Sequence, residues 1–278
     1  MNNIRRLLKS ALGTSGIFLL LFFVGITIAG LFWTPHDPFE INYAKMFLPP
    51  GTPGHLLGTD ALGRDLLSRI LYGARFTFLI GATLAGISVL IGTILGVTCG
   101  YVGGLYDMLV SRLLDVTLAM PDIVIALAIA TALKPGLISI LVSVGAIGWR
   151  DFARLARGET LRWKECAFVE AARAYGASSG RIVFRHILRN ILPSIIIYVS
   201  LYAPLAILTA AALSFLGIGL QPPIPEWGVL ISEGKIYLVS AWWISTFPGL
   251  MLMLLILALN FIGDALRDLL DPRLRGWL

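Results

Sequence analysis

Residues Ala11 to Trp33 run without a charged side chain, and so do residues Phe76 to Tyr106. A helix needs about 20 consecutive apolar residues to cross the hydrocarbon core of a bilayer. Both runs meet that length, and lipid is the solvent that their composition suits. The whole chain agrees, with 57% hydrophobic and 14% charged residues, where soluble domains carry about 25% charged residues. A water-soluble enzyme of this length would lack the polar surface it needs. The sequence therefore predicts an all-α polytopic membrane protein.

Six spans are expected. The first is Ala11 to Trp33, and the second lies within Phe76 to Tyr106. The third, roughly Leu113 to Leu133, carries Asp115 and Asp122. Lys134-Pro135-Gly136 then turns the chain. Leu137 to Trp149 is a short fourth span, Ser194 to Leu216 the fifth and Ala241 to Ile262 the sixth. Arg5, Arg6 and Lys9 precede the first span. A signal peptide also begins this way, but the apolar run is long and no A-x-A site follows it, so the span is expected to be retained.

An even number of spans places both ends on one side. With a cytoplasmic N-terminus, the inside segments hold 16 of the 22 Lys and Arg residues, as the positive-inside rule requires. The expected organisation is a cytoplasmic segment 1–10, a first helix 11–33 and an external loop 34–75. A core of five helices spans 76–262 and contains the cytoplasmic loop 150–193; the cytoplasmic tail is 263–278. Basic residues distributed in this way reflect topology, and nucleic acid is not an expected partner. Gly92, Gly96 and Gly100 share one face of the second span. Such a face admits a close helix neighbour, either within this chain or at a subunit interface.

Cys99 and Cys166 form no CxxC pair, and His36, His55 and His186 lie far apart in sequence with no ligand at metal-binding spacing. No metal site is expected. Gly234-Lys235 is the one Gly-Lys pair, with Val229 where a P-loop needs Gly and Ile236 where it needs Ser or Thr. ATP hydrolysis is not expected of this chain.

The stretch Arg150 to Pro193 is too polar to span, yet it is patterned as helix. Arg154, Arg157, Arg162, Glu159 and Glu165 suit a solvated face. Glu170 to Tyr175 contains good helix formers, Gly176 is placed to end that helix, and Ser178 or Ser179 to cap the next, from about Gly180 to Arg189. Between Gly58 and Asp65, Thr59 or Asp60 can cap a helix that begins near Leu66.

The segment EAARAYGASSGRIVFRHIL resembles the EAA loop of ABC importer permeases. Glu170, Ala171, Ala172, Gly176 and Leu188 match that pattern; His186 stands in place of its Ile and Arg189 in place of its Pro. Gly58-Thr59-Asp60-Ala61-Leu62-Gly63-Arg64-Asp65 resembles the first external loop of the C-type di/oligopeptide and nickel permease subunits. Ser214 to Pro223 and Pro225-Glu226-Trp227-Gly228 resemble their second external loop, and Gly263 to Asp268 with Asp271-Pro272 their tail. The four segments occur in the family's order, and the resemblance extends over nearly the whole chain.

The resemblance implies a type I ABC importer permease fold with a cytoplasmic coupling helix. Glu170, Ala171, Ala172, Arg173, Ala174, Gly176 and Ala177 would enter a cleft on an ATPase subunit. The implied partners are a second permease chain, two ATPase subunits or domains that hold ATP and Mg, and an extracytoplasmic substrate-binding protein. Gly58, Asp60, Arg64 and Asp65 are candidates for docking that binding protein. The implied cargo is a di- or oligopeptide, or alternatively nickel or a metal chelate.

Asp115 and Asp122 lie seven residues apart, on one face of the expected third span, and Arg112 is spaced to pair with Asp115. Asp122 follows Pro121, where a kink is expected. They are candidates for a pathway role or a structural ion pair. An intramembrane aspartyl protease would need the two carboxyls to face one another, but seven residues of helix separate them by about 10 Å. A channel or secondary transporter would have no need of an EAA loop. Trp227, Trp242 and Trp243 are expected as anchors at the membrane interface.

Overall fold

The computed structural model describes residues 11–270. The segment 1–10, with Arg5, Arg6 and Lys9, and Asp271-Pro272 of the tail lie outside the described residues. Among the described residues nine helices carry the fold: α1 Ala11–Phe32, α2 Leu66–Val102, α3 Gly104–Leu118, α4 Asp122–Ala132, α5 Leu137–Lys164, α6 Ala167–Ala174, α7 Ser179–Phe215, α8 Trp227–Gly234 and α9 Trp243–Leu270. Short 3-10 turns at Tyr43–Lys45 and Lys235–Tyr237 complete the helical elements, and the described residues form no extended strand, only isolated bridges.

Among the described residues four helical stretches are long and apolar enough to cross a membrane: Leu12–Phe32, Leu66–Val102, Ser179–Phe215 and Trp243–Leu269. A fifth arises if α3 and α4 are one broken span, since they meet at 93°. Large apolar side chains cover the outside of these helices, among them Phe18, Leu90, Val116 and Leu208. Exposed apolar surface on that scale marks contact with lipid or protein rather than water.

The break falls at Pro121, where the sequence leads one to expect a kink, and it divides the expected third span into two helices, α3 and α4. Pro121 is the N-cap of α4. It has no N–H for a helix entering from before it, and its ring disfavours helical geometry at Met120. Asp115 and Asp122 consequently sit on two helices at 93°, not on one face. The other bounds differ because polar residues continue apolar helices. α2 begins at Leu66, ten residues before the uncharged run. α7 continues back through a π-helical turn, Ile182–Ile187, to Ser179. α5 does not stop at Trp149 but runs on to Lys164.

The Gly92, Gly96 and Gly100 face packs within this chain. A Cβ added to Gly92 would strike the carbonyl of Trp149, one on Gly96 that of Ala153 and one on Gly100 that of Arg157. Four-residue steps on α2 thus match four-residue steps on α5, and the two backbones touch along the crossing. Beside them, Arg157 of α5 donates to Asp107 of α3 at 2.6 and 2.7 Å, and the Cys99 thiol of α2 donates to the same carboxylate at 2.7 Å. Arg157 is therefore partly buried in an ion pair, not free on a solvated face; Arg154 and Glu165 are exposed as expected.

Three apolar clusters hold the fold. One, around Leu84, Ile140, Phe152 and Leu213, joins α2, α4, α5 and α7. A second, around Phe23, Leu66, Trp227 and Leu255, joins α1, α2, α8 and α9. The third, around Val97, Ala156, Val169 and Ile187, fastens α6 to α2, α5 and α7.

Candidate functional site

α6 is a short helix held by one side. Val169 is fully buried, and Ala172 is partly buried against the third cluster. Glu170, Ala171, Arg173, Ala174 and Tyr175 are exposed, Tyr175 to 92%. The helix ends at Gly176, whose φ is +79°. Gly176 N–H donates to the Arg173 carbonyl and Ala177 N–H to the Ala172 carbonyl, both at 3.0 Å. This pair of bonds is the Schellman ending, which places a glycine in the left-handed region just past the helix. Ser178 then caps α7, its hydroxyl accepting from Arg181 N–H at 3.4 Å.

A Cβ at Gly176 would meet no atom of this chain within 4 Å. Small side chains and open space give the turn a slim, accessible profile. Among the described residues neither Glu170 nor Arg173 has an ion-pair partner. His186, in the place of the motif's Ile, stands 6.2 Å ring to ring from Phe168, and Phe168 contacts Trp163. The base of α7 is thereby tied to α6 and the end of α5. Arg189 is exposed, and Pro193 lies inside α7.

The loop between α1 and α2 is built around Asp60. Its carboxylate accepts from Leu62 N–H, Arg64 N–H, Arg64 Nε and Arg69 Nη1 at 2.6 to 3.0 Å. Arg64 Nη2 reaches Glu233 of α8 at 3.0 Å, and Arg69 Nη1 lies 2.8 Å from the same carboxylate. Arg69 is fully buried. Two guanidiniums taken out of water are thus balanced by two carboxylates from separate elements.

Several expectations are corrected here. Asp65, not Thr59 or Asp60, caps α2, accepting from Ser68 N–H at 2.8 Å. Thr59 instead bridges Leu48 N–H and the Lys45 carbonyl. Gly58, Asp60, Arg64 and Asp65 are all buried, so they frame the loop rather than form its outer face. Trp227 and Trp243 are buried too; their indole N–H groups donate to the carbonyls of Ile70 and Thr59 at 3.1 and 3.0 Å. Only Trp242 of the three has an exposed ring. The long-range bonds that bury the other two have no local signature in sequence.

Arg112 and Asp115 are both exposed and form no ion pair among the described residues. Asp122 pairs instead with Arg150 of α5 at 2.5 Å, and Arg150 also donates to the carbonyls of Ile147 and Thr117. The Arg150 side chain is buried while that of Asp122 is 55% exposed. A cavity of about 140 Å³ opens beside Asp122, lined by Val144, Ile147, Tyr202 and Thr209 among others. Sequence gave no signal for Arg150, which lies 28 residues from its partner.

His36 and His55, far apart in sequence, are stacked with centroids 4.7 Å apart, and both face Asp65. Sequence spacing gave no sign of this meeting; the loop closes and brings the three side chains together.

Residues 92–276 match the model of the family described as binding-protein-dependent transport system inner membrane component. The chain is 40% identical to the dipeptide transport system permease protein DppC of Alkalihalophilus pseudofirmus, over 98% of this chain and 89% of that one. It is 38% identical to the glutathione transport system permease protein GsiD of Pectobacterium atrosepticum, over 98% and 90%. Among solved structures, an inward-facing form of the MetNI methionine ABC transporter superposes with a TM-score of 0.59 at 18% identity, covering 73% of this chain and 97% of that one. That likeness is one of fold. The motif order, the helical architecture and near full-length relatives converge, and the chain belongs to the family of binding-protein-dependent transport system inner membrane components.

Proposed function

We propose that this chain is one of two permease subunits of an ATP-driven importer of di- or oligopeptides. The observation that carries the reading is α6, a slim exposed helix hung between α5 and α7 and ended by a left-handed glycine turn. Near full-length relatives named as dipeptide or di/tripeptide permeases support the cargo.

In this reading both chain ends are cytoplasmic and six crossings are made. The broken α3–α4 pair supplies the third, and the apolar start of α5 the fourth. Leu137 to Trp149 covers only about 20 Å at the helical rise, so the buried Arg150 comes near the membrane core and needs its partners. Segment 34–65 and α8 are external. Segment 150–193 is cytoplasmic.

Glu170 to Ala177 would dock in a cleft on one of two separate ATPase subunits, which hold ATP and Mg. Glu170 and Arg173 offer their unpaired charges to the rim of that cleft. Val169 transmits the movement, because it is locked into the cluster that joins α2, α5 and α7. An interlocked cluster moves as a body, and rigid-body motion is how such machines alternate access. The second permease chain would close the pathway, with the cavity beside Asp122 as a candidate wall. The binding protein would dock on the outer face of the α1–α2 loop, where Leu56 and Tyr43 are exposed.

The test is uptake of labelled dipeptides, oligopeptides and nickel by cells lacking the chain, with and without its restoration. Loss and rescue of peptide uptake alone is expected. Loss of nickel uptake alone would overturn the cargo, and failure to co-purify with an ATPase would overturn the machine.

A further inference from the structure

We propose that His36, His55 and Asp65 form a binding site for a divalent transition-metal ion, with zinc the best fit. The ligand atoms of the three side chains all lie within 4.8 Å of one another. His55 Nδ1 stands 2.9 Å from Asp65 Oδ1, and His36 Nδ1 stands 3.7 Å from Asp65 Oδ2. Tetrahedral zinc with bonds of 2.0 to 2.2 Å separates its ligands by about 3.4 Å. The two observed separations bracket that value, and the widest of the three pairs, at no more than 4.8 Å, closes by a turn of a histidine ring. The rings are inclined by 28°. His36 is the more exposed of the two, so its ring is the one free to turn and aim its lone pair.

Three further observations point to a ligand. His36 Nδ1 is buried and has no hydrogen-bond partner among the described residues. Such an atom is normally satisfied in a folded protein, and a metal bond satisfies it. A cavity of about 20 Å³ lies against the cluster, lined by His36, His55, Asp65, Asp37, Glu40 and Lys45 among others. That is space for one water or one ion. Three carboxylates against one ammonium favour a cation there. Finally, the carboxylate is already oriented: Ser68 donates to Asp65 Oδ2 from both its N–H, at 2.8 Å, and its hydroxyl, at 2.7 Å. Outer-shell bonds of this kind fix metal-bound carboxylates.

Two imidazoles and a carboxylate suit zinc, with a fourth position left to water or to a partner's side chain. The ion would clamp the chain just after α1, through His36, to the loop at His55 and to the first turn of α2 at Asp65. Those three points are otherwise linked by single hydrogen bonds, among them His36 N–H to the Ser68 hydroxyl at 2.9 Å. The site is independent of the cargo and of the partners proposed above.

The test uses the full chain in detergent, stripped of metal and of any affinity tag. Zinc is titrated in competition with a chromophoric chelator, and cobalt is bound for its visible spectrum. One zinc per chain is expected, with a tetrahedral cobalt spectrum and a rise in Tm on zinc addition. His36→Ala and His55→Ala are each expected to weaken binding at least about tenfold, as loss of a ligand does more than loss of its outer shell. His36→Gln keeps a polar group and serves if the alanine variant does not fold. His186→Ala should bind as the wild type does. No stoichiometric zinc, or binding by the His36 and His55 variants as tight as that of the wild type, overturns the site.

Discussion

Gly96 of α2 lies directly against the backbone carbonyl of Ala153 in α5, leaving no room for a side chain. A Cβ there would also come within 2.8 Å of the Ala156 methyl. Gly96→Leu is expected to force the two helices apart and to cost at least the 1–3 kcal/mol or so of ordinary overpacking. Gly86→Leu, on the same helix but with nothing within 4 Å, should be tolerated. Tm in detergent distinguishes them, and equal values would refute the close crossing.

Asp60 holds two buried guanidiniums, Arg64 and Arg69, at 2.6 Å each. Asp60→Ala leaves them short of a counter-charge, at an expected cost of about 3–5 kcal/mol. Little folded protein should accumulate in membranes. Glu233→Gln, at the more exposed end of the network, should lower Tm by less.

Gly176 has φ +79° with open space around it. Leucine there meets no clash within the chain and bears only the left-handed backbone cost of about 1–2 kcal/mol. Gly176→Leu should therefore reach the membrane in normal amounts yet lose uptake, while Gly176→Asn retains more. Normal uptake by the leucine variant would remove the coupling role.

Asp122 and Arg150 differ in burial although they are partners. Asp122→Asn keeps an oxygen acceptor for Arg150, whose other bonds go to backbone carbonyls. It is expected to transport at a near-normal rate, as befits a structural pair. Loss of uptake with unchanged Tm would instead assign Asp122 to the pathway. Arg150→Ala removes the hub and should reduce accumulation.

Glu226, between the apolar spans, caps α8 by accepting from Val229 N–H at 3.2 Å. Burial pushes its carboxyl above the ordinary carboxylate range, outweighing the hydrogen bonds it accepts. Its folded pKa exceeds its unfolded one, so its contribution to stability is present at low pH and declines as pH rises through the raised value. Glu226→Gln mimics the protonated form and should flatten that dependence in thermal unfolding measured against pH. An unchanged profile would contradict the assignment.

The sequence by itself determined the features that are local. Uncharged runs announced the apolar helices, because transfer into lipid depends on composition along a short segment. The EAA spacing announced α6 and its end, because Gly176 relieves a backbone constraint that one residue decides. Four-residue glycine spacing announced a close face on α2. It did not say which helix fills that face; only the packed structure assigned α5. Tertiary structure also decided the 93° break at Pro121 and the pairing of Asp122 with Arg150 rather than of Asp115 with Arg112. Burial of Trp227 and Trp243 and the meeting of His36, His55 and Asp65 were decided in the same way. Each of these rests on groups brought together by chain closure, and hydropathy and spacing carry no record of which distant partner a polar group will find.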